Sequence, residues 1–311
     1  MNRRQFLETT ALLSASTALP RAMASPEALP VVDTHVHFYD PSRPEGVPWP
    51  DKNSQLYRTV LPANYRALPQ PLPVAGVIVV EASPLLEDNQ WVLDLAAREP
   101  LILGMVGNLD PAHESFLKHL KRFAKNPLFQ GFRVRVPQQL RRGLENPAFV
   151  AGLKHTAELG LALDAGGGGS PLEEIARLTE LIPDLRIIIN HLAGVRVDGQ
   201  PPKAEWLGAM RNAAKGKNVF CKISGLVEGS GHKAGDAPKD VAYYQPVLNA
   251  VWEIFGEDRL IYGSNWPVSE LYAPCGTVQE IIRDYLREKP EAVRNKIFHA
   301  NAQRAYRWRV K

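Results

Sequence analysis

The chain has 311 residues, of which 45% are hydrophobic and 23% charged, and these are the proportions of a globular protein with a sizeable core. Its formal net charge of +4 is too small to argue for binding to nucleic acid or to an anionic membrane surface. The length leaves either one large α/β barrel or two modest domains.

The first 24 residues have the features of an export signal. The pair Arg3-Arg4 is followed by a mildly apolar stretch over 11–19 and by a small-x-small cleavage motif at 22–24. This order resembles a twin-arginine signal peptide, so we predict a mature chain of residues 25–311 that the twin-arginine export machinery carries to the periplasm or secretes. The apolar stretch is too short to span a bilayer, and we expect no stable membrane anchor and no nucleic-acid partner.

A short strand with two histidines opens the predicted mature domain at 31–40. Val31 and Val32 begin an apolar run, and His35 and His37 stand near its end. Because side chains in a strand alternate between faces, the two imidazoles share one face and can hold a divalent cation together. A buried structural histidine is an equally good interpretation of this motif alone.

Apolar runs typical of buried strands then alternate with helical patterns. After a proline-rich excursion over 41–73 with a short helix at 62–68, we predict strands at 74–82, 101–110, 131–136, 161–165, 187–192, 219–226 and 260–264. Helices are predicted at 89–98, 114–125, 147–160, 171–181, 205–214, 241–255, 277–288 and 291–308. Eight β/α units over about 250 residues predict a single-domain (β/α)8 barrel of the TIM type.

Polar residues with chemical function stand at the end of each predicted strand. They are His35, His37, Glu81, Asn108, Asp110, Arg133, Arg135, Asp164, His191, Lys222, Ser224 and Asn265. The active site of a (β/α)8 barrel lies at the carboxyl ends of its strands. The pattern therefore predicts an enzyme site at that end.

Five motifs occur along the chain in a specific order. They are DTHVHFYDPSRPEGVPWP from residue 33, INHLAG around His191, CKISGL from Cys221, YGSNWP from Tyr262 and NKIFHANAQRAYRW at 295–308. Together they resemble the amidohydrolase superfamily, in its amidohydrolase-related branch that contains sugar-acid lactonases and a pyrone-dicarboxylate lactonase. The resemblance implies that His35, His37 and His191 bind one divalent metal ion, zinc or manganese, but similar lactonases also work without metal.

Asn265 departs from this resemblance, because family members usually have aspartate there. An amide can position water but has no basic lone pair at neutral pH, so Asn265 cannot be the general base. We predict Glu81 as the base, since its apolar neighbours raise the pKa of a carboxylate, and Asp164 as the second candidate. The alternatives are that Glu81 orients a histidine and that Asp164 anchors the glycine run at 166–169.

The substrate-binding residues are predicted from charge and ring chemistry. They are Trp49, Arg133, Arg135, Lys222, His232 and Trp266. Guanidinium and ammonium groups suit an anion, unless they are ion-paired inside the barrel. The tryptophans can form apolar walls against a sugar or lactone ring or pack in the core, and the histidine in the loop at 229–235 can reach a ligand or remain solvated.

The sequence therefore predicts an exported hydrolase that opens a lactone or cyclic ester of a sugar acid by attack of activated water, with imidazoles stabilising the oxyanion. A hydrolase of amides or other esters is an alternative on the same site. A metal-dependent decarboxylase is a second alternative on the same fold. A catalytically weak sugar-acid-binding protein is a third, and Asn265 is the residue that keeps it open.

Overall fold

The computed structural model describes residues 30–166 and 171–308, so the predicted signal peptide and most of the glycine run lie outside the described residues. The strands are β1 (Val31–Val36), β2 (Val74–Val80), β3 (Ile102–Gly107), β4 (Phe129–Val134), β5 (Ala162–Ala165), β6 (Arg186–Ile189), β7 (Val219–Ile223) and β8 (Leu260–Tyr262). The α-helices are α1 (Pro62–Arg66), α2 (Asp88–Arg98), α3 (Phe116–Phe123), α4 (Pro137–Gly143), α5 (Pro147–Glu158), α6 (Leu172–Leu181), α7 (Ala204–Ala213), α8 (Leu226–Gly229), α9 (Val241–Phe255), α10 (Thr277–Tyr285), α11 (Glu291–Asn295) and α12 (Asn301–Tyr306). Within these ranges no helix combines the length and apolar character needed to cross a membrane.

The strands form one parallel sheet in the order β1 to β8. A parallel bridge joins Val36 to Trp266, and the backbone N–H of His37 donates to the carbonyl oxygen of Trp266 at 2.9 Å. These contacts bring the end of β1 beside the residues that follow β8. The predicted single (β/α)8 barrel is therefore confirmed.

Except in β4, alternate residues of the strands pack in two separate clusters, as the period of two requires. Val77 and Val79 of β2 belong to the cluster that the surrounding helices cover, whereas Ile78 and Val80 belong to a smaller cluster inside the barrel. Tyr306 of α12 joins the inner cluster, so the last helix closes the barrel at the amino ends of the strands. The opposite end is left for a site.

The strand that carries His191 is shorter than predicted. It ends at Ile189, and a 3-10 helix at His191–Gly194 takes its place. His191, Leu192 and Ala193 have φ angles of 51°, 51° and 58°, which are left-handed values that no strand residue adopts. The predicted helix over 291–308 is likewise divided, because a π-helical turn at Lys296–Ala300 separates α11 from α12.

Candidate active site

A cavity of about 320 Å³ opens at the carboxyl ends of the strands. The predicted site residues that line it are His37, Trp49, Glu81, Arg133, Arg135, His191 and Asn265. A larger cavity of about 670 Å³ lies near the starts of β6 and β7, and its walls contain none of the predicted site residues. We assign the site to the smaller cavity, because imidazole, guanidinium and carboxylate groups converge there.

Three imidazoles meet at the base of this cavity. The ring centroid of His35 lies 5.0 Å from that of His37 and 4.3 Å from that of His191. His37 Nδ1 lies 2.9 Å from the carbonyl oxygen of Val80, and His191 Nδ1 lies 2.8 Å from the hydroxyl oxygen of Ser224. A carbonyl oxygen can only accept, so a neutral His37 has its proton on Nδ1 and a lone pair on Nε2.

Burial keeps these imidazoles neutral. Desolvation, with a smaller contribution from the positive charge of Arg133, lowers the pKa of His37 to about 3. Desolvation and neighbouring positive charges also hold the pKa values of His35 and His191 well below the ordinary range. The cluster can therefore donate and accept hydrogen bonds at neutral pH without carrying a charge.

Lys222 sets the tautomer of His35. Its ammonium lies 3.3 Å from His35 Nδ1 and donates to Asp164 Oδ2 at 2.8 Å, with both side chains of the ion pair fully buried. An ammonium has no lone pair, so His35 Nδ1 accepts and the proton of this imidazole is on Nε2. His35 Nε2 is buried and has no hydrogen-bond partner in the described part of the chain. The atom is thus an unused donor next to the cavity.

The same contact does not fit a metal ion held by the three histidines. A metal takes an imidazole lone pair, whereas His35 Nε2 carries the proton and Nδ1 faces the Lys222 ammonium. Across residues 30–166 and 171–308, no group of three or more His, Cys, Asp or Glu side chains could hold a metal ion. The assignment of His35, His37 and His191 as metal ligands stays a prediction that this arrangement does not favour.

Glu81 is ion-paired in the wall of the cavity. Arg135 donates to it through Nε at 2.6 Å from Oε1 and through a second N–H to Oε2. Arg133 Nη1 lies 3.7 Å from Glu81 Oε1, and burial lowers the pKa of Arg133 to about 10, which still leaves it charged at neutral pH. The predicted base and the two predicted anion-binding groups therefore form one cluster, and the role of each stays a prediction.

Apart from His35, four predicted site residues do not line the cavity. Asp164 and Lys222 are fully buried beneath it, where each neutralises the other. Trp266 is 1% exposed and packs edge-on against Tyr65 at 5.4 Å, so the structure places it in the core instead of against a substrate. His232 is exposed in the loop that follows α8. For Asp164, Lys222 and Trp266, burial is the physical reason for the difference.

Asp33 is a buried carboxylate that the sequence analysis missed. Its Oδ1 accepts from the backbone N–H groups of His35 at 3.1 Å and Ser264 at 2.8 Å, and its Oδ2 accepts from the hydroxyl of Tyr65 at 2.7 Å. These bonds tie the end of β1 to the residues after β8. The signal in the sequence was its place as the first residue of the DTHVH motif.

Glu228 is the second missed carboxylate. Asn265 has a left-handed φ of 60°, and its Nδ2 donates to Glu228 Oε1 at 2.7 Å. Glu228 Oε2 is buried without a partner in the described residues, and desolvation raises the pKa of this carboxyl to about 7. Its only sequence signal is its place just after the strand that carries Lys222.

Several known proteins resemble this chain in sequence and in fold. The sequence model of the amidohydrolase family matches residues 32–308. An L-fucono-1,5-lactonase of Burkholderia ambifaria is 31% identical over 248 residues, which are 79% of this chain and 83% of that protein. An L-rhamnono-gamma-lactonase of Scheffersomyces stipitis is 27% identical over 67% of this chain and 66% of its own length. A crystal structure of a Burkholderia multivorans amidohydrolase with bound zinc has a TM-score of 0.77 and 22% identity, covering 90% of this chain and all of that one.

Proposed function

The chain belongs to the amidohydrolase family, and we propose that it hydrolyses the lactone ring of a sugar acid. The observation that carries this proposal is the cavity at the carboxyl ends of the strands, in which neutral imidazoles meet two guanidinium groups. The names of the fucono-1,5-lactonase and the rhamnono-gamma-lactonase support the substrate class. The predicted small-molecule substrate is thus a neutral ring with several hydroxyl groups.

The charges of the cavity suit the course of lactone hydrolysis. A sugar-acid lactone is neutral, whereas the tetrahedral intermediate and the carboxylate product are negative. Arg133 and Arg135 line the cavity, so these groups stabilise the negative states more than the bound lactone. Interactions that strengthen towards the transition state raise kcat, and a preorganised donor contributes about 3 kcal/mol.

The proposed reaction begins when the oxygen of a water molecule attacks the lactone carbonyl carbon. One proton of that water passes to Glu81, which is the carboxylate that lines the cavity in the described chain. The ring C–O bond then breaks, and Glu81 returns its proton to the ring oxygen, which becomes a hydroxyl of the free acid. Charge that develops near Arg135 competes with Glu81 for the guanidinium and so frees the carboxylate to accept.

Trp49 provides an apolar wall for the ring. Its indole lines the cavity and packs edge-on against His37, with ring centroids 5.6 Å apart. Sugar rings have faces of C–H groups that pack against aromatic rings. This contact orients the lactone without adding charge.

The test is hydrolysis of a panel of five- and six-membered sugar-acid lactones, measured against the spontaneous rate. We expect Glu81→Gln to lower kcat by about 100-fold or more, as loss of a general base does. Glu87→Gln is the matched control, because Glu87 forms an exposed ion pair with Arg122. No acceleration for any lactone would refute the proposal. Release of carbon dioxide from an aromatic acid, or tight binding of sugar acids without turnover, would favour the alternative functions.

A divalent metal, zinc or manganese, is a separate proposal. The zinc bound in the Burkholderia multivorans structure supports it, whereas the contact between Lys222 and His35 opposes it. The measurement is elemental analysis of the purified protein, with His35→Ala as the comparison. One equivalent of zinc or manganese that is lost in His35→Ala would establish the metal, and a folded, active protein without metal would exclude it.

Export is also a proposal, because it rests on the sequence of residues 1–24 alone. Arg3→Lys combined with Arg4→Lys keeps the charge but removes the twin-arginine pair. We expect this variant to remain in the cytoplasm while the unchanged chain reaches the periplasm or the medium in its mature form of residues 25–311. Equal distribution of the two proteins would contradict twin-arginine export.

A further inference from the structure

Glu228 is partly buried and differs from the fully buried carboxylates around the strand ends. Asp33, Glu81 and Asp164 have both oxygens engaged by hydrogen bonds or ion pairs. Among the carboxylate oxygens of the described residues, Glu228 Oε2 is buried and accepts no hydrogen bond from another residue. A buried acceptor without a partner is unfavourable, so a functional reason for this carboxylate has to be sought.

Glu228 does not line the cavity, but it forms a hydrogen bond with Asn265, which does. Glu228 lies on α8, directly after the turn that follows β7, and Asn265 follows β8 and lines the cavity. The Nδ2–Oε1 distance is 2.7 Å, and the left-handed backbone of Asn265 fixes the direction in which its side chain leaves the chain. The orientation of the Asn265 carboxamide is therefore fixed by the backbone conformation of this residue and by the hydrogen bond that its Nδ2 donates.

The chemistry of this hydrogen bond decides which end of the amide a ligand meets. A carboxylate can only accept, so it bonds the NH2 group and turns Oδ1 of Asn265 towards the cavity, where the Asn265 side chain also forms a hydrogen bond with His37. We propose that Glu228 is a positioning residue, which holds the Asn265 carboxamide so that its oxygen accepts a hydrogen bond from the attacking water. This inference rests on the proposed lactone hydrolysis for its water molecule, but the amide orientation itself does not depend on it.

Protonation of Glu228 removes this constraint. A neutral carboxyl can donate to Asn265 Oδ1, so the amide can turn over and present NH2 to the cavity, where it cannot accept from water. Desolvation brings the pKa of Glu228 to about 7, which places the change near neutral pH. Tyr244 of α9 and Glu270 of the 3-10 helix at Val268–Leu271 lie on elements packed around α8, and Glu270 is paired with Arg58. The segment whose Val197 bonds to Gly229 of α8 carries the exposed pair Arg196–Asp198. The neutral His191 lies beside the start of α8, and the neutral His37 forms a hydrogen bond with Asn265.

The first test is the pH dependence of lactone hydrolysis between pH 5.5 and 8.5. We expect kcat of the unchanged chain to fall on the acid side with an apparent pKa near 7. In Glu228→Gln, which cannot enforce one amide orientation, we expect kcat to be lower by about 10-fold, KM to change by less than about 2-fold, and the acid limb near 7 to disappear. Glu270→Gln is the matched control on the neighbouring helix, and its profile should equal that of the unchanged chain.

The second test does not require activity. In protein labelled with 15N-asparagine, the side-chain NH2 resonances of Asn265 are identified by their absence in Asn265→Ser. We expect them to shift with a midpoint near pH 7 in the unchanged chain and to stay constant in Glu228→Gln. If no lactone is hydrolysed, the proposed function fails, and the titration still decides the orientation. Resonances that do not move, or that move equally in Glu228→Gln, would overturn the inference.

Discussion

Replacing Lys222 by methionine tests the buried ion pair that supports the imidazole cluster. The Lys222 ammonium and the Asp164 carboxylate are 2.8 Å apart and have no exposed surface. The substitution removes the hydrogen bond from Lys222, and the hydroxyl of Tyr306, 2.9 Å from Oδ1, is then the donor left to the Asp164 carboxylate in the described residues. Removing one partner of a buried pair destabilises a protein by about 3–5 kcal/mol, because the other charge stays buried and unpaired.

The expected loss is large enough to measure by urea unfolding followed through tryptophan fluorescence. In a domain of this size it corresponds to a fall in Tm of roughly 6–20 °C. Combining Lys222→Met with Asp164→Asn removes both charges but keeps an acceptor for Tyr306, so we expect the double variant to be more stable than Lys222→Met alone. A single variant that loses less than about 1 kcal/mol, or effects that simply add, would refute the buried-pair reasoning.

Three further predictions concern other residues of the site. The pKa of Glu228 is raised from 4.5 to about 7 by folding, so between these pH values the folded chain keeps a proton that the unfolded chain releases. The free energy of unfolding, measured relative to Glu228→Gln, should therefore fall by about 1.4 kcal/mol per pH unit between pH 4.5 and 7. Equal urea midpoints across this range would contradict the shift. Gly225 has φ +66°, and a Cβ there would lie 2.7 Å from Cβ of His191, so Gly225→Ala should lose both activity and about 2 kcal/mol. Gly160→Ala, with a φ of +69° and open space, should lose about 1 kcal/mol and no activity. Arg135→Met should lower kcat of lactone hydrolysis by about 100-fold, as loss of an oxyanion-stabilising charge does, and an unchanged kcat would remove Arg135 from the mechanism.

The barrel could be predicted from the sequence because its signals are local. The strands are short apolar runs, and after β1, which a proline-rich segment follows, each run is followed by a helical pattern. The left-handed turn at His191–Gly194 could not be predicted, since His191, Leu192 and Ala193 adopt it without the glycines that usually mark such turns. Tertiary contacts decide the backbone there, and sequence periodicity contains no information about them.

The location of the candidate site could be predicted from the sequence, but the burial of individual residues could not. The rule that functional residues follow the strands of a barrel located the residues that line the cavity. It could not tell that Lys222 and Asp164 form a fully buried pair, because their contact joins β5 to β7 across 58 positions of the chain. The partner of Asn265 was hidden for the same reason, since Glu228 lies 37 positions away.

The arrangement of charges explains how the cluster of imidazoles can serve a negative transition state. Arg133 and Lys222 are among the charges that keep the pKa of His191 low, so this imidazole is neutral when substrate binds. Their partners Glu81 and Asp164 balance these charges in the resting site. An oxyanion that forms beside the imidazoles therefore meets positive charge that is already in place, and no group has to move or change its protonation to stabilise it. Arg133 and Arg135 share the single carboxylate of Glu81, so this wall of the cavity keeps a net positive charge, which is the electrostatic reason to expect the site to bind anionic states in preference to cations.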